Sequence, residues 1–183
     1  MITRIFLLVL LLGSSFVSQA STLQARDHLT QKEVDLVKEA QALDKRIEVF
    51  IKAAERRLMV INGSTAGNAK QLKKDSERWG ELPAGSRAEL VTDIARILDE
   101  AITNIDDVSA RDERNPLIPK SLRKLAQAVN TIMGQLKPLS VGAKSDAEIA
   151  SFELLHEDAQ SILEAANRLP AEAEKKAKKN EKK

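Results

Sequence analysis

The chain has 183 residues, with 29 lysines and arginines against 27 aspartates and glutamates, no cysteine, no tyrosine and one tryptophan. This composition excludes disulfide scaffolding, thiolate metal ligands and sulfur nucleophiles, and it leaves few aromatic faces on which a sugar or single-stranded nucleic acid could stack. Sequence-specific nucleic-acid binding is further disfavoured because the basic excess sits in residues 171–183, six lysines against three glutamates, whereas residues 21–170 carry 22 basic and 24 acidic groups.

Residues 1–20 have the form of a secretory signal peptide: Arg4 supplies positive charge, Ile5 to Leu12 are unbroken apolar, and Ser18-Gln19-Ala20 offers small residues at the two positions a signal peptidase reads. Cleavage is expected after Ala20. The apolar run is shorter than the roughly 18 residues a spanning helix needs, so no transmembrane span is expected after cleavage. The residue after the cut is Ser21 and not a cysteine, which removes the attachment point of a bacterial lipoprotein. Export of a cysteine-free chain fits a bacterial periplasmic or extracellular protein better than a small secreted animal domain. About 163 residues remain, enough for one domain with a core of its own. Asn62-Gly63-Ser64 fits a glycosylation sequon but reads as a turn in a bacterial protein.

Residues 30–61 are expected to form the first helix. Thr30 and Glu33 make a capping box, and Leu36, Ala40, Leu43, Ile47, Phe50, Ala54, Leu58 and Ile61 recur at helical spacing until Asn62-Gly63. The connection 62–85 begins small and polar. Its second part, residues 69–81, can form a short extra helix that delivers Trp79 to one end of the core, either as a plug or as one wall of a ligand cleft. A second capping box, Ser86 with Glu89, opens a helix over 86–108 whose broad apolar face suits packing on two sides. Asn115-Pro116 makes a turn and Pro119 a first-turn residue for a third helix over 119–137, closed by Pro138. Ser145 with Glu148 opens the fourth, over 145–169, which Pro170 ends. No stretch shows the sustained alternation of a strand. The expected fold is therefore all-α, an antiparallel four-helix bundle with a long first connection.

Charges at the helix ends suggest how the middle helices meet. Asp99, Glu100, Asp106 and Asp107 crowd the end of the second helix, and Lys120, Arg123 and Lys124 open the third, each set opposing its helix dipole. In an antiparallel hairpin these sets would be neighbours and would pair. The functional alternative is an anion or partner contact at Lys120, Arg123 and Lys124, where a helix start presents free amides.

Groups that could carry chemistry are sparse. Glu153 and His156 match the Glu-x-x-His spacing of carboxylate-bridged di-metal bundles, but the only other histidine, His28, precedes the first helix. For a haem held between methionine and histidine, Met59 is level with a point roughly 16 Å from His156, and Met133 misses it by roughly 10 Å. No Cys-x-x-Cys-His, His-Glu-x-x-His or Gly-x-Ser-x-Gly pattern occurs. No enzyme activity and no cofactor are expected. Residues 171–183 contain only alanine, glutamate, asparagine and lysine, too polar to bury a face, and could tether the domain to an anionic surface.

The stretch Arg111-Asp112-Glu113-Arg114-Asn115-Pro116-Leu117-Ile118-Pro119-Lys120, with Trp79-Gly80-Glu81-Leu82-Pro83 and Ala25-Arg26-Asp27-His28-Leu29-Thr30, resembles a group of uncharacterised exported bacterial helical proteins. The resemblance implies one exported helical domain and carries no activity or site residue with it. Two readings of function follow. The first is a non-enzymatic binding or interaction module of the cell envelope, meeting an envelope protein or an anionic surface. The second is a metal- or haem-binding bundle centred on Glu153 and His156.

Overall fold

A computed structural model describes residues 27–64 and 75–170, and every regular element among them is helical. These are α1 (Gln31–Glu39), α2 (Leu43–Ile61), α3 (Arg87–Arg111), α4 (Leu117–Val141) and α5 (Asp146–Asn167), with residues 75–79 also helical. The expected signal peptide, residues 1–20, the tail, residues 171–183, and the first part of the extra helix over 69–81 lie outside the described residues.

The run expected as one helix over 30–61 is two. Alanine and glutamine at positions 40–42 favour helix, so local propensity alone would carry the helix through. The chain instead turns there, with Ala40 at φ −77°, ψ 89° and Ala42 extended as the N-cap of α2. Side chains satisfy the carbonyls that the break frees: Gln41 Nε2 donates to Lys38 O (2.9 Å) and Arg46 Nε to Ala40 O (3.2 Å). The turn folds α1 back along α2. In a continuous helix Glu33 and Arg57, 24 residues apart, would be separated by about 36 Å. They are in direct contact, with Arg57 Nη1 2.7 Å from Glu33 Oε1.

Capping explains the other helix starts. Thr30/Glu33 and Ser86/Glu89 form complete capping boxes. Ser145 accepts from the Glu148 amide, but the Glu148 carboxylate reaches the Lys144 amide and not that of Ser145. α4 starts two residues earlier than expected because Asn115 Oδ1 accepts from the Leu117 amide (3.0 Å), which leaves Pro119 in the first turn where it needs no donor. Pro138 does not end α4; the helix runs on to Val141. So close to the end, the proline forfeits only its own bond to the preceding turn. The extra residues also place Leu139 against the core.

The core is built from one face of each long helix. Ile47, Phe50 and Ala54 of α2, Ile94, Leu98 and Ala101 of α3, Leu125, Val129 and Ile132 of α4, and Leu155, Ala159 and Ile162 of α5 are all buried. Full burial of each larger aliphatic or aromatic side chain contributes about 1.5–3 kcal/mol before conformational entropy is charged against it. α3 packs mainly between α2 and α5, and α4 packs between the same two helices on the far side. α3 and α4 touch each other less than either touches α2 or α5, and among the described residues α2 and α5 do not meet.

Named contacts fix the directions. Arg57 with Asp93 and Arg46 with Asn104 set α2 against α3 in opposite senses. Asp44 with Lys120 and Asn62 with Gln135 show α2 and α4 running the same way. The expected pairing of the α3 acids with the α4 bases is therefore corrected. α3 and α4 face each other across the core with only a narrow contact, and Lys120 and Lys124 pair with Asp44 and Glu48 of α2. Each set is spaced at four residues, so two acids on α2 meet two bases on α4 at matched levels.

Candidate functional site

The sites suggested by sequence fall at separate places on the molecule. Lys120 Nζ lies 2.6 Å from Asp44 Oδ2, a contact that pulls the Asp44 carboxyl below its ordinary range and pushes the Lys120 ammonium up. Lys124 meets Glu48, whose carboxyl is lowered first by that hydrogen bond and then by one from Lys45. Arg123 Nη2 donates to Pro170 O (2.6 Å), fixing the end of the described chain to α4. The positive charges proposed as an anion contact are thus engaged by groups of this chain.

Trp79 is half-buried and lies outside the main core. Its ring faces the Arg56 guanidinium, with Cζ 5.8 Å from the ring centroid. Arg56 Nη2 also donates to the carbonyls of Trp79 (3.3 Å), Gly80 (3.1 Å) and Glu81, so three consecutive backbone acceptors are pinned to α2. Gly80 adopts φ +70°, and a Cβ there would sit 3.1 Å from Lys32 Cγ, so glycine serves both the turn and the close approach to α1. Trp79 also lines a shallow cavity of about 410 Å³ with Leu36, Val49 and Arg78, at the seam of α1, α2 and the connection.

Beneath Trp79 lies a buried charged cluster of which only Glu33, through its capping box, had a motif in the sequence. Glu33, Arg56, Arg57 and Asp93 are all buried. Glu33 accepts from Arg57 through both oxygens (2.7 and 2.8 Å), and Arg56 Nε is 3.3 Å from Glu33 Oε1. Arg57 Nη2 donates to His28 O (2.6 Å), and its Nε lies 3.7 Å from Asp93 Oδ2. Burial depresses the Arg56 pKa from its ordinary value, while Glu33 opposes that shift. The cluster ties α1, α2, α3 and the connection to one point. Its signal was present in the pattern: Asp93 follows Leu90 by three and precedes Ile97 by four, and Arg57 follows Ala54 by three, so both lie on apolar faces.

Glu153 and His156 are both exposed on α5, and His156 Nε2 has Gln160 Nε2 3.4 Å away on its own helix. Among the described residues no group of three or more histidines, aspartates and glutamates is placed to hold a metal ion. His156 and Met133 do line the same groove, between α4 and α5. His28 is elsewhere, with its Nε2 2.8 Å from Glu100 Oε2. Asp158 has its pKa raised from 3.8 to about 6, chiefly by burial and then by Asp99 and Glu157. It lines none of the three cavities described.

The roomiest of the three concavities described is a groove of about 640 Å³ between α2 and α4. Ile51, Leu58 and Ile132 form its floor, while Gln127, Thr131 and Gln135 stand exposed along its α4 edge, facing Lys52 and Glu55 on α2. Lys52 is held toward Asp75 at 3.4 Å. An apolar floor with amide, hydroxyl and charged edges can take a side chain into its depth and hydrogen-bond a backbone along its rim. No family, no curated protein and no solved structure matches this chain in comparison. Among the described residues no helix is long and apolar enough to cross a membrane.

Proposed function

We propose that the chain is an exported, non-enzymatic interaction protein of the bacterial envelope. In this reading α2 to α5 form a four-helix bundle whose successive helices alternate in direction, and the groove between α2 and α4 holds a segment of a protein partner. The groove itself carries the proposal. It is the roomiest of the three cavities described, it lies at a helix–helix seam where ligand sites are common, and its edge offers amide groups that can both donate and accept to a peptide backbone. Pairing of Lys120 and Lys124 with Asp44 and Glu48 favours a mixed-charge partner over a simple anion at that end of α4.

Export is carried by residues 1–20 alone, and fractionation with N-terminal sequencing tests it, the expected product starting at Ser21. The interaction is tested by capture from a periplasmic extract with the mature domain and with Thr131→Arg, which fills the groove from an exposed position. A partner held by the parent and lost by the variant supports the groove. Equal capture by both removes it. The lysine tail is proposed as an auxiliary tether to anionic surfaces, and deleting residues 171–183 should weaken envelope association at low salt.

The competing proposal is a metal or haem site at Glu153 and His156. It requires further ligands converging on His156, and metal analysis with absorption spectra of the purified protein separates it from the first.

A further inference from the structure

The groove between α4 and α5 differs in chemistry from the one between α2 and α4. It encloses about 380 Å³, within the size range of small-molecule sites, and its walls are the apolar side chains of Met133, Leu136, Phe152 and Leu155. Lys137 and His156 stand at its rim, and no carboxylate lines it. Lys137 is exposed, with no carboxylate within ion-pair distance among the described residues, and the one hydroxyl in the lining, Ser140 Oγ, already donates to Lys137 O (2.9 Å). Val141, four residues beyond Lys137 on α4, is 83% exposed, and Ile149, three before Phe152 on α5, is 42% exposed, so each shares a helix face with a lining residue.

Gly134 lines this groove from the middle of α4. A glycine inside a helix is unfavourable against alanine, and it is usually explained by a neighbour that a Cβ would strike or by a backbone angle other residues avoid. Neither applies here. The position is helical with no positive φ, and a Cβ built on it meets nothing within 4 Å. The missing side chain therefore leaves room in the groove that no part of the described chain occupies.

We propose that the α4–α5 groove binds a single-chain amphiphile with an anionic head, a free fatty acid, with the acyl chain over Gly134 and the carboxylate at Lys137 and His156. A peptide would leave its backbone donors and acceptors facing walls that offer no partners, whereas an acyl chain asks for none. Lys137 and His156, one on each wall, are the ammonium and imidazole of a lining that holds no carboxylate, which matches a ligand with an anionic end. This site shares no residue with the α2–α4 groove, so either can fail without the other.

The test uses the purified protein and dodecanoate, with dodecanol and dodecyltrimethylammonium as comparators, followed by isothermal titration below the micellar range. The expected result is saturable 1:1 binding of dodecanoate, weaker by roughly tenfold or more for the uncharged and cationic analogues. Gly134→Leu should abolish binding while the unfolding midpoint holds or rises, because the new side chain fills open space and removes a helix glycine. Lys137→Glu should weaken dodecanoate and spare the cationic analogue. Binding that survives Gly134→Leu, equal binding of all three amphiphiles, or no saturation would overturn the proposal. So would a dimer that Gly134→Leu dissociates in a protein that binds no dodecanoate, since a second copy would then be the occupant.

Discussion

Glu33 and Arg57, 24 residues apart in sequence, exchange two hydrogen bonds of 2.7 and 2.8 Å with both side chains buried. That contact, and the turn at residues 40–42 that allows it, fold α1 back onto α2. Removing one partner of a buried ion pair leaves the other charge desolvated and uncompensated, at a typical cost of about 3–5 kcal/mol. Glu33→Gln is expected to destabilise by that amount in urea unfolding and to raise hydrogen exchange selectively across α1. A loss under about 1 kcal/mol would put the pair in the class of exposed salt bridges and remove its role as the anchor of α1.

Trp79 is the only tryptophan, so its emission reports the docking of the connection on Arg56. Arg56→Lys would keep a charge but lose the planar fork that reaches three successive carbonyls. A red-shifted Trp79 emission is expected, with faster proteolysis between residues 62 and 86. Trp79→Ala should cost more than Trp79→Phe, the cation–π part contributing about 0.5–2 kcal/mol. Unchanged emission in Arg56→Lys would show that the segment is held by other contacts.

Asp158 gives the fold an unusual pH response. Its pKa is raised in the folded protein from an ordinary 3.8 to about 6, so between those values the folded state binds more protons than the unfolded one. Stability therefore falls as pH rises through about 4 to 6 and stays reduced above it. Asp158→Asn should raise the thermal midpoint at pH 7 and leave it nearly unchanged at pH 4. The same shift at both values would trace the gain to the amide's own contacts and not to the charge.

The α2–α4 ion pairs work in the opposite direction. Lys120 and Lys124 hold the Asp44 and Glu48 carboxyls below their ordinary pKa values, so their contribution is present at neutral pH and is lost as pH falls through the lowered values. Both lysines are partly solvated, which limits the effect. Lys120→Ala is expected to lower the thermal midpoint by about 1–3 °C at low salt and by nothing measurable at 1 M salt, where the screening length is about 3 Å. A drop that survives high salt would point to packing of the lysine stem instead.

Helix identity was legible from spacing and caps: the Thr30, Ser86 and Ser145 starts and the apolar faces of α3 and α5 all follow from local rules. The break at residues 40–42 was not, because Ala40-Gln41-Ala42 favours helix and the force that overrides it is a contact with Arg57. Lateral order was hidden for a related reason. A short connection such as residues 112–116 suggests adjacent helices, yet α3 has an apolar face broad enough to be covered by α2 and α5, which leaves α4 across the core. The clue lay in matched spacing, Asp44 and Glu48 on one helix against Lys120 and Lys124 on another. At the candidate sites, Glu153 and His156 share the right interval on α5, but a helix position alone does not make them face inward, and both are exposed. The α2–α4 groove drew no attention because its lining is scattered over two helices and carries no motif.

A protein partner seated in the α2–α4 groove would lie within reach of Thr131. A photo-reactive amino acid placed at Thr131, exposed on the groove edge, and separately at Glu157, exposed on α5 away from it, tests this in intact cells that produce the protein. One discrete adduct from Thr131 and none from Glu157 is the expected result. No adduct from Thr131, or the same adducts from both positions, would contradict it.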